Sequence, residues 1–126
     1  MSHEPVNDLT QKRCHPCEGG TPPLPRAEAT RLLATLPDWI LSEDGSSIRR
    51  ELRLASFREA VQLIDDVARV AEAENHHPDL HLTGYRNLAV ELSTHAVHGL
   101  SENDFILAAK IDQLAERPRP PEKPML

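Results

Sequence analysis

Residues 56–74, SFREAVQLIDDVARVAEAE, constrain the fold more than any other stretch of this chain. Phe57, Ala60, Val61, Ile64, Val67, Ala68 and Ala71 keep an i, i+3, i+4 rhythm, the pattern of a helix with one apolar face. Ser56 with Glu59 three residues later supplies a capping box at its start, and Pro78 forbids a long continuation. A helix of this kind needs a surface to lie on. The segment before it, IRRELRL, describes one: Ile48, Arg50, Leu52 and Leu54 share one strand face, while Arg49, Glu51 and Arg53 share the other. One side is mostly apolar and the other wet, which suits an antiparallel sheet covered on a single face.

The remaining segments fit that plan. Ala29, Leu32, Leu33 and Leu36 predict a helix over 26–35, entered at Pro25 and left at Pro37. Trp39, Ile40 and Leu41 make a short strand, and EDGSS at 43–47 supplies a turn. Two strands follow the long helix, at about 80–84 and 87–95. In the second, Leu88, Val90 and Leu92 alternate with Ala89, Glu91, Ser93 and His95. Ser101 opens a last helix running to about 115, with Leu107, Ala108, Ile111, Leu114 and Ala115 inside. The expected fold is α+β, an antiparallel four-stranded sheet with helices packed on one face in the order αββαββα. Residues 1–25 and the proline-rich 117–126 read as a flexible N-terminal arm and a tail flanking a folded domain over 26–116.

Composition removes several function classes. The net charge is −6 and no Lys/Arg run interleaves with aromatics, which disfavours nucleic acid as a partner. No apolar stretch approaches the roughly 20 residues that cross a bilayer. The N-terminal MSHEPVNDLT has neither the charged start nor the apolar middle of a signal peptide. Cys14 and Cys17 are too few for a disulfide scaffold, so a cytoplasmic, membrane-free protein is expected.

Chemistry concentrates on histidines. His76 and His77 sit where the long helix ends, and Glu72, four residues before His76, shares its face if the helix persists that far. His95 closes the last strand on its polar side. Three imidazoles at element ends on one rim make an acid–base site, because histidine titrates nearest neutral pH. Each also has a plainer explanation. A histidine at a helix C-terminus favours the dipole, and Asp104 is the third residue of a helix capped by Ser101. For a metal, neither the His76–His77 pair nor Cys14-His-Pro-Cys17 has the spacing of a zinc site, so none is expected.

The run EAENHHPDLHLTGY…ELSTHAVHGLSENDF carries the argument further. Its Glu72, His76-His77-Pro78, Tyr85, His95 and Asp104 closely resemble the pattern of the pterin-4a-carbinolamine dehydratases, and PPLPRAEATRLLATLPDW and NDFILAAKID extend the likeness. Arg86 and His98 depart from it, standing where asparagine and glycine are common. The resemblance implies that residues 26–116 form a dehydratase-like domain. That domain would remove water from 4a-hydroxytetrahydropterin by histidine acid–base catalysis, in pterin recycling. It implies catalytic roles for His76, His77 and His95, substrate binding by His77, and support from Glu72 and Asp104. It also implies a pterin as substrate with no cofactor or metal, and assembly into a homodimer or homotetramer. A member that serves as a non-catalytic dimerisation partner, stabilising another protein, is the alternative.

Overall fold

The computed structural model describes residues 7–16 and 21–118. The elements are α1 (Asn7–Gln11), α2 (Arg26–Leu33), β1 (Ile40–Leu41), β2 (Ile48–Arg53), α3 (Phe57–Glu74), β3 (Asp79–Thr83), β4 (Asn87–Leu92), a 3-10 turn (His95–Val97) and α4 (Glu102–Glu116). All strand pairs are antiparallel, in the order β1-β2-β4-β3. The fold is the expected α+β type.

Register explains the one-sided core. Ile48 faces Leu92, Leu52 faces Leu88, and Leu80 and Leu82 face Val90 and Leu88. These residues pack with Leu63 and Val67 of α3 and Phe105, Ile106 and Ile111 of α4. Arg50 is the polar residue on this face. Its guanidinium reaches Asp112 of α4 at 2.5 Å, and the same carboxylate oxygen accepts the Trp39 indole N–H at 2.8 Å. Burial raises the Asp112 carboxyl above its ordinary range, against the opposing pull of Trp39 and Arg50.

Two expectations need correction here. Of the expected α3 stripe, Ala60, Val67 and Ala71 are buried and Ile64 packs against the core, whereas Phe57 and Val61 are 55% and 45% exposed and Ala68 is exposed too. Leu63, outside the expected stripe, is fully buried instead, so the sheet takes a face turned slightly from the expected one. The N-terminal segment is also not uniformly irregular. Asn7–Gln11 forms α1, and Leu9 enters the core at 6% exposure because α1 lies against α4. Lys110 Nζ donates to the Thr10 carbonyl at 2.9 Å, and Lys12 pairs with Glu102 at 2.6 Å. Of the expected arm and tail, residues 1–6, 17–20 (with Cys17) and 119–126 lie outside the described residues.

Candidate active site

The end of α3 sets the site. Asn75 takes a left-handed φ of 53°, a conformation that asparagine tolerates better than most residues. The His76 N–H then bonds back to the Ala71 carbonyl at 3.1 Å and the Asn75 N–H to Glu72 at 3.3 Å. This pair of bonds is a Schellman closure, which fixes the direction in which His76 leaves the helix. Pro78 follows and β3 begins at Asp79.

His76 turns toward α4. Its Nε2 lies 2.7 Å from Asp104 Oδ1, and Asp104 is fully buried. The other carboxylate oxygen accepts from Thr94 Oγ1 at 2.7 Å and from the Ser101 N–H at 3.0 Å. Thr94 spends its only proton on Asp104, so it accepts from Ser101 Oγ at 2.8 Å. With donors filling Oδ2, the carboxylate at Oδ1 accepts the His76 Nε2–H, which leaves Nδ1 as that ring's basic nitrogen. Asp104 is thus both the third residue of an Ser101–Asp104 capping box and the partner of His76.

Glu72 does not take His76, because the chain leaves the helix first. It lies instead 2.5 Å from His77 Nε2, in an exposed pair. Consecutive histidines therefore hold different carboxylates.

His95 is on the 3-10 turn, not at a strand end. β4 stops at Leu92 because its partners run out: β2 begins at Ile48, opposite Leu92, and β3 at Asp79, opposite Glu91. The chain then loops, closed by a Thr94–Gly99 bridge with Thr94 N to Gly99 O at 2.7 Å. His98 has a left-handed φ of 56°, the conformation glycine adopts most readily.

Together these pieces line a cleft of about 350 Å³ bounded by His76, His77, His95, Ser93, Thr94 and Asn103. Glu72 supports His77 from outside it. Tyr85 is not brought in. It sits exposed in the β3–β4 turn at φ 57°, at the far end of the strand pair. There Arg86 Nε donates to the Leu54 carbonyl at 2.8 Å and fastens the hairpin to the end of β2. A second hollow, on the helix-free face of the sheet, is lined by Arg49, Glu51, Arg53, Thr83 and Asn87. It holds no histidine, whereas the first cleft gathers three of the expected ones.

The sequence reading missed one wall of the cleft. His15 and Pro16 line it, and Asn103 Oδ1 accepts the His15 N–H at 2.9 Å. Cys14 beside them is half-buried, and its thiol donates to the Asn103 carbonyl at 3.7 Å. Burial, reinforced by Glu74, pushes this thiol up to about 12, so at neutral pH it is a protonated packing group and not a thiolate ligand. Among the described residues, no three His, Cys, Asp or Glu side chains gather as a metal set. The same residues include no helix long and apolar enough to cross a membrane.

Comparison with known proteins points to one group. The sequence profile of the pterin 4 alpha carbinolamine dehydratase family matches residues 22–114. A protein of Halorhodospira halophila is 46% identical over 84% of this chain and 96% of its own. One of Methylococcus capsulatus is 46% identical over 85% and 93%. Their names assign them, provisionally, to pterin-4-alpha-carbinolamine dehydratase. The crystal structure of a transcriptional coactivator/pterin dehydratase from Brucella melitensis superposes with a TM-score of 0.70 at 28% identity, covering 74% of this chain and 98% of that one. A pterin dehydratase-like RuBisCO assembly factor of the alpha-carboxysome, 19% identical with a TM-score of 0.54 over 63% of this chain and 90% of its own, shares the fold.

Proposed function

The chain belongs to the pterin 4 alpha carbinolamine dehydratase family, and on that premise we propose that it eliminates water from a 4a-hydroxytetrahydropterin to give a quinonoid dihydropterin. The observation that carries this reading is the cleft itself, where His76, His77 and His95 meet and His76 is held by a buried carboxylate. The reaction needs one proton delivered to the leaving 4a-hydroxyl and one removed at a ring nitrogen. Two imidazoles can do both without a covalent intermediate. His76, with Nδ1 free of Asp104, and His95, lining the same cleft, take the acid and base roles. His77 binds and orients the pterin. The pterin is the substrate, and neither metal nor cofactor is required.

The assay is dehydration of synthetic 4a-hydroxytetrahydropterin in a stopped-flow spectrometer, before and after exhaustive chelation. Acceleration well above buffer in both samples is expected. Background rates, or activity lost with a stoichiometric metal, would overturn the proposal. The protein is further proposed to be cytoplasmic and homo-oligomeric. The exposed apolar pair Phe57 and Val61 on α3 offers ground for a second copy.

A second reading, a partner-binding module without catalysis, draws on the Brucella melitensis relative, which is described as a coactivator as well as a dehydratase. A binding role does not call for three histidines in one cleft, so the enzyme is favoured. Wild-type protein at background rates would reverse that order.

A further inference from the structure

The arm residues Cys14 to Pro16 are gripped by two nearly buried side chains. Glu74 Oε1 accepts the Cys14 N–H at 2.8 Å, and the Glu74 side chain is 7% exposed. Asn103, 6% exposed, uses both ends of its amide on one residue: Oδ1 accepts the His15 N–H at 2.9 Å and Nδ2 donates to the His15 carbonyl at 2.5 Å. A buried amide paired at both ends in this way holds the His15 backbone as a strand partner would. The grips are also well placed. Glu74 stands two residues before His76, and Asn103 immediately before Asp104. The arm is therefore fastened to the same two helix ends that create the His76–Asp104 pair, and its His15 and Pro16 become a wall of the cleft.

We propose that His15 is a substrate-contacting residue that sets affinity for the pterin, and that Asn103 is a positioning residue acting through it. This rests on the dehydratase reading. A pterin presents a row of donors and acceptors along its pyrimidine edge (the 2-amino group, N3–H and the 4-oxo group). A neutral imidazole offers one of each. Proton transfer already has His76 and His95, so the wall histidine acts on binding and not on the chemical step.

Four full-length proteins decide this: wild type, His15→Ala, Asn103→Ala and the double variant. Calorimetric titration with 7,8-dihydropterin gives Kd without any turnover, and the dehydration assay gives KM and kcat. His15→Ala is expected to raise Kd and KM by about three- to tenfold, the scale of one lost hydrogen-bonding partner, with kcat within about twofold. Asn103→Ala should match it, and the double variant should be no worse than either single change, because the two act as a unit. Hydrogen exchange at the His15 amide, the one Asn103 accepts, should quicken in Asn103→Ala. Unchanged Kd and KM in His15→Ala would overturn the proposal, as would losses that add in the double variant. His15 is exposed, so its variant decides even if Asn103→Ala does not fold. Wild type that neither binds 7,8-dihydropterin nor dehydrates the carbinolamine would defeat the dehydratase reading and this proposal together. An active, pterin-binding wild type with a silent His15→Ala defeats this proposal alone.

Discussion

Replacing Asp104 by asparagine exchanges one oxygen for an amide nitrogen at a fully buried position where a carboxylate accepts from His76, Thr94 and Ser101. The orientation of the new amide follows from what each partner can do. The Ser101 backbone N–H is an obligatory donor, so the amide oxygen must stay on its side. Thr94 can rotate its hydroxyl and keep donating to that oxygen. The amide NH2 is then left facing His76 Nε2, which must become an acceptor. The imidazole proton moves to Nδ1, and the basic nitrogen assigned to the pterin is lost. Two charge-assisted bonds weaken and one reverses, a cost of about 1–3 kcal/mol in stability. That corresponds to a fall in Tm of several degrees for a domain of this size. Turnover should fall much further, by about 10²–10⁴, because an acid–base histidine in the wrong tautomer cannot exchange its proton. Thermal melting and stopped-flow dehydration of the same sample separate the two effects. A folded Asp104→Asn protein with turnover within about threefold of wild type would refute the claim that Asp104 sets the tautomer of His76.

Other outcomes follow from the packing and the charges. Cys14, its thiol pushed up to about 12, should react with iodoacetamide at neutral pH far more slowly than an ordinary free thiol, and labelling of the native fold at the free-thiol rate would contradict that shift. Burial raises the Glu74 carboxyl, but the Cys14 N–H with Lys110 and Arg13 outweighs it, so the folded value lies below 4.5. A depressed carboxylate stabilises the fold above its unfolded pKa and loses that contribution as pH falls through the folded one. Wild type should therefore exceed Glu74→Gln in denaturant stability at neutral pH, and the gap should close as the pH drops below about 4.5. Leu63→Ala should cost about 2–5 kcal/mol and Val61→Ala less than about 1 kcal/mol, measured by urea unfolding of the isolated subunit state; the reverse order would mean that α3 is rotated.

What the residues disclosed depended on whether side chains or backbone carried the signal. The alternation of Ile48, Leu52, Leu88, Val90 and Leu92 and the caps at Ser56 and Ser101 are side-chain statements, and they led directly to the sheet and to α3 and α4. The rotation of α3 was legible only in part: Ala60, Val67 and Ala71 follow the apolar rhythm, but Phe57 and Val61 share helical spacing with them and only the sheet reveals that Leu63 lies inside instead. His95 continued a period-two pattern past Leu92, but a strand needs neighbours, and pairing to β2 and β3 ended there. The residues of the histidine cluster were legible, but the partner expected for His76 was not the right one: a left-handed Asn75 sends His76 to Asp104 and leaves Glu72 to His77. α1 and the His15 wall were invisible because one apolar residue makes no period, and residues 14 and 15 are held through backbone N–H and C=O groups, which carry no side-chain signal.

The central claim is that imidazoles of this cleft move the protons, and His95 tests it most directly. It is exposed on the 3-10 turn and removes no core side chain when truncated. His95→Ala should keep the wild-type melting temperature and assembly while its kcat for 4a-hydroxytetrahydropterin dehydration falls by about 10²–10⁴. Undiminished turnover in that folded variant would contradict the account.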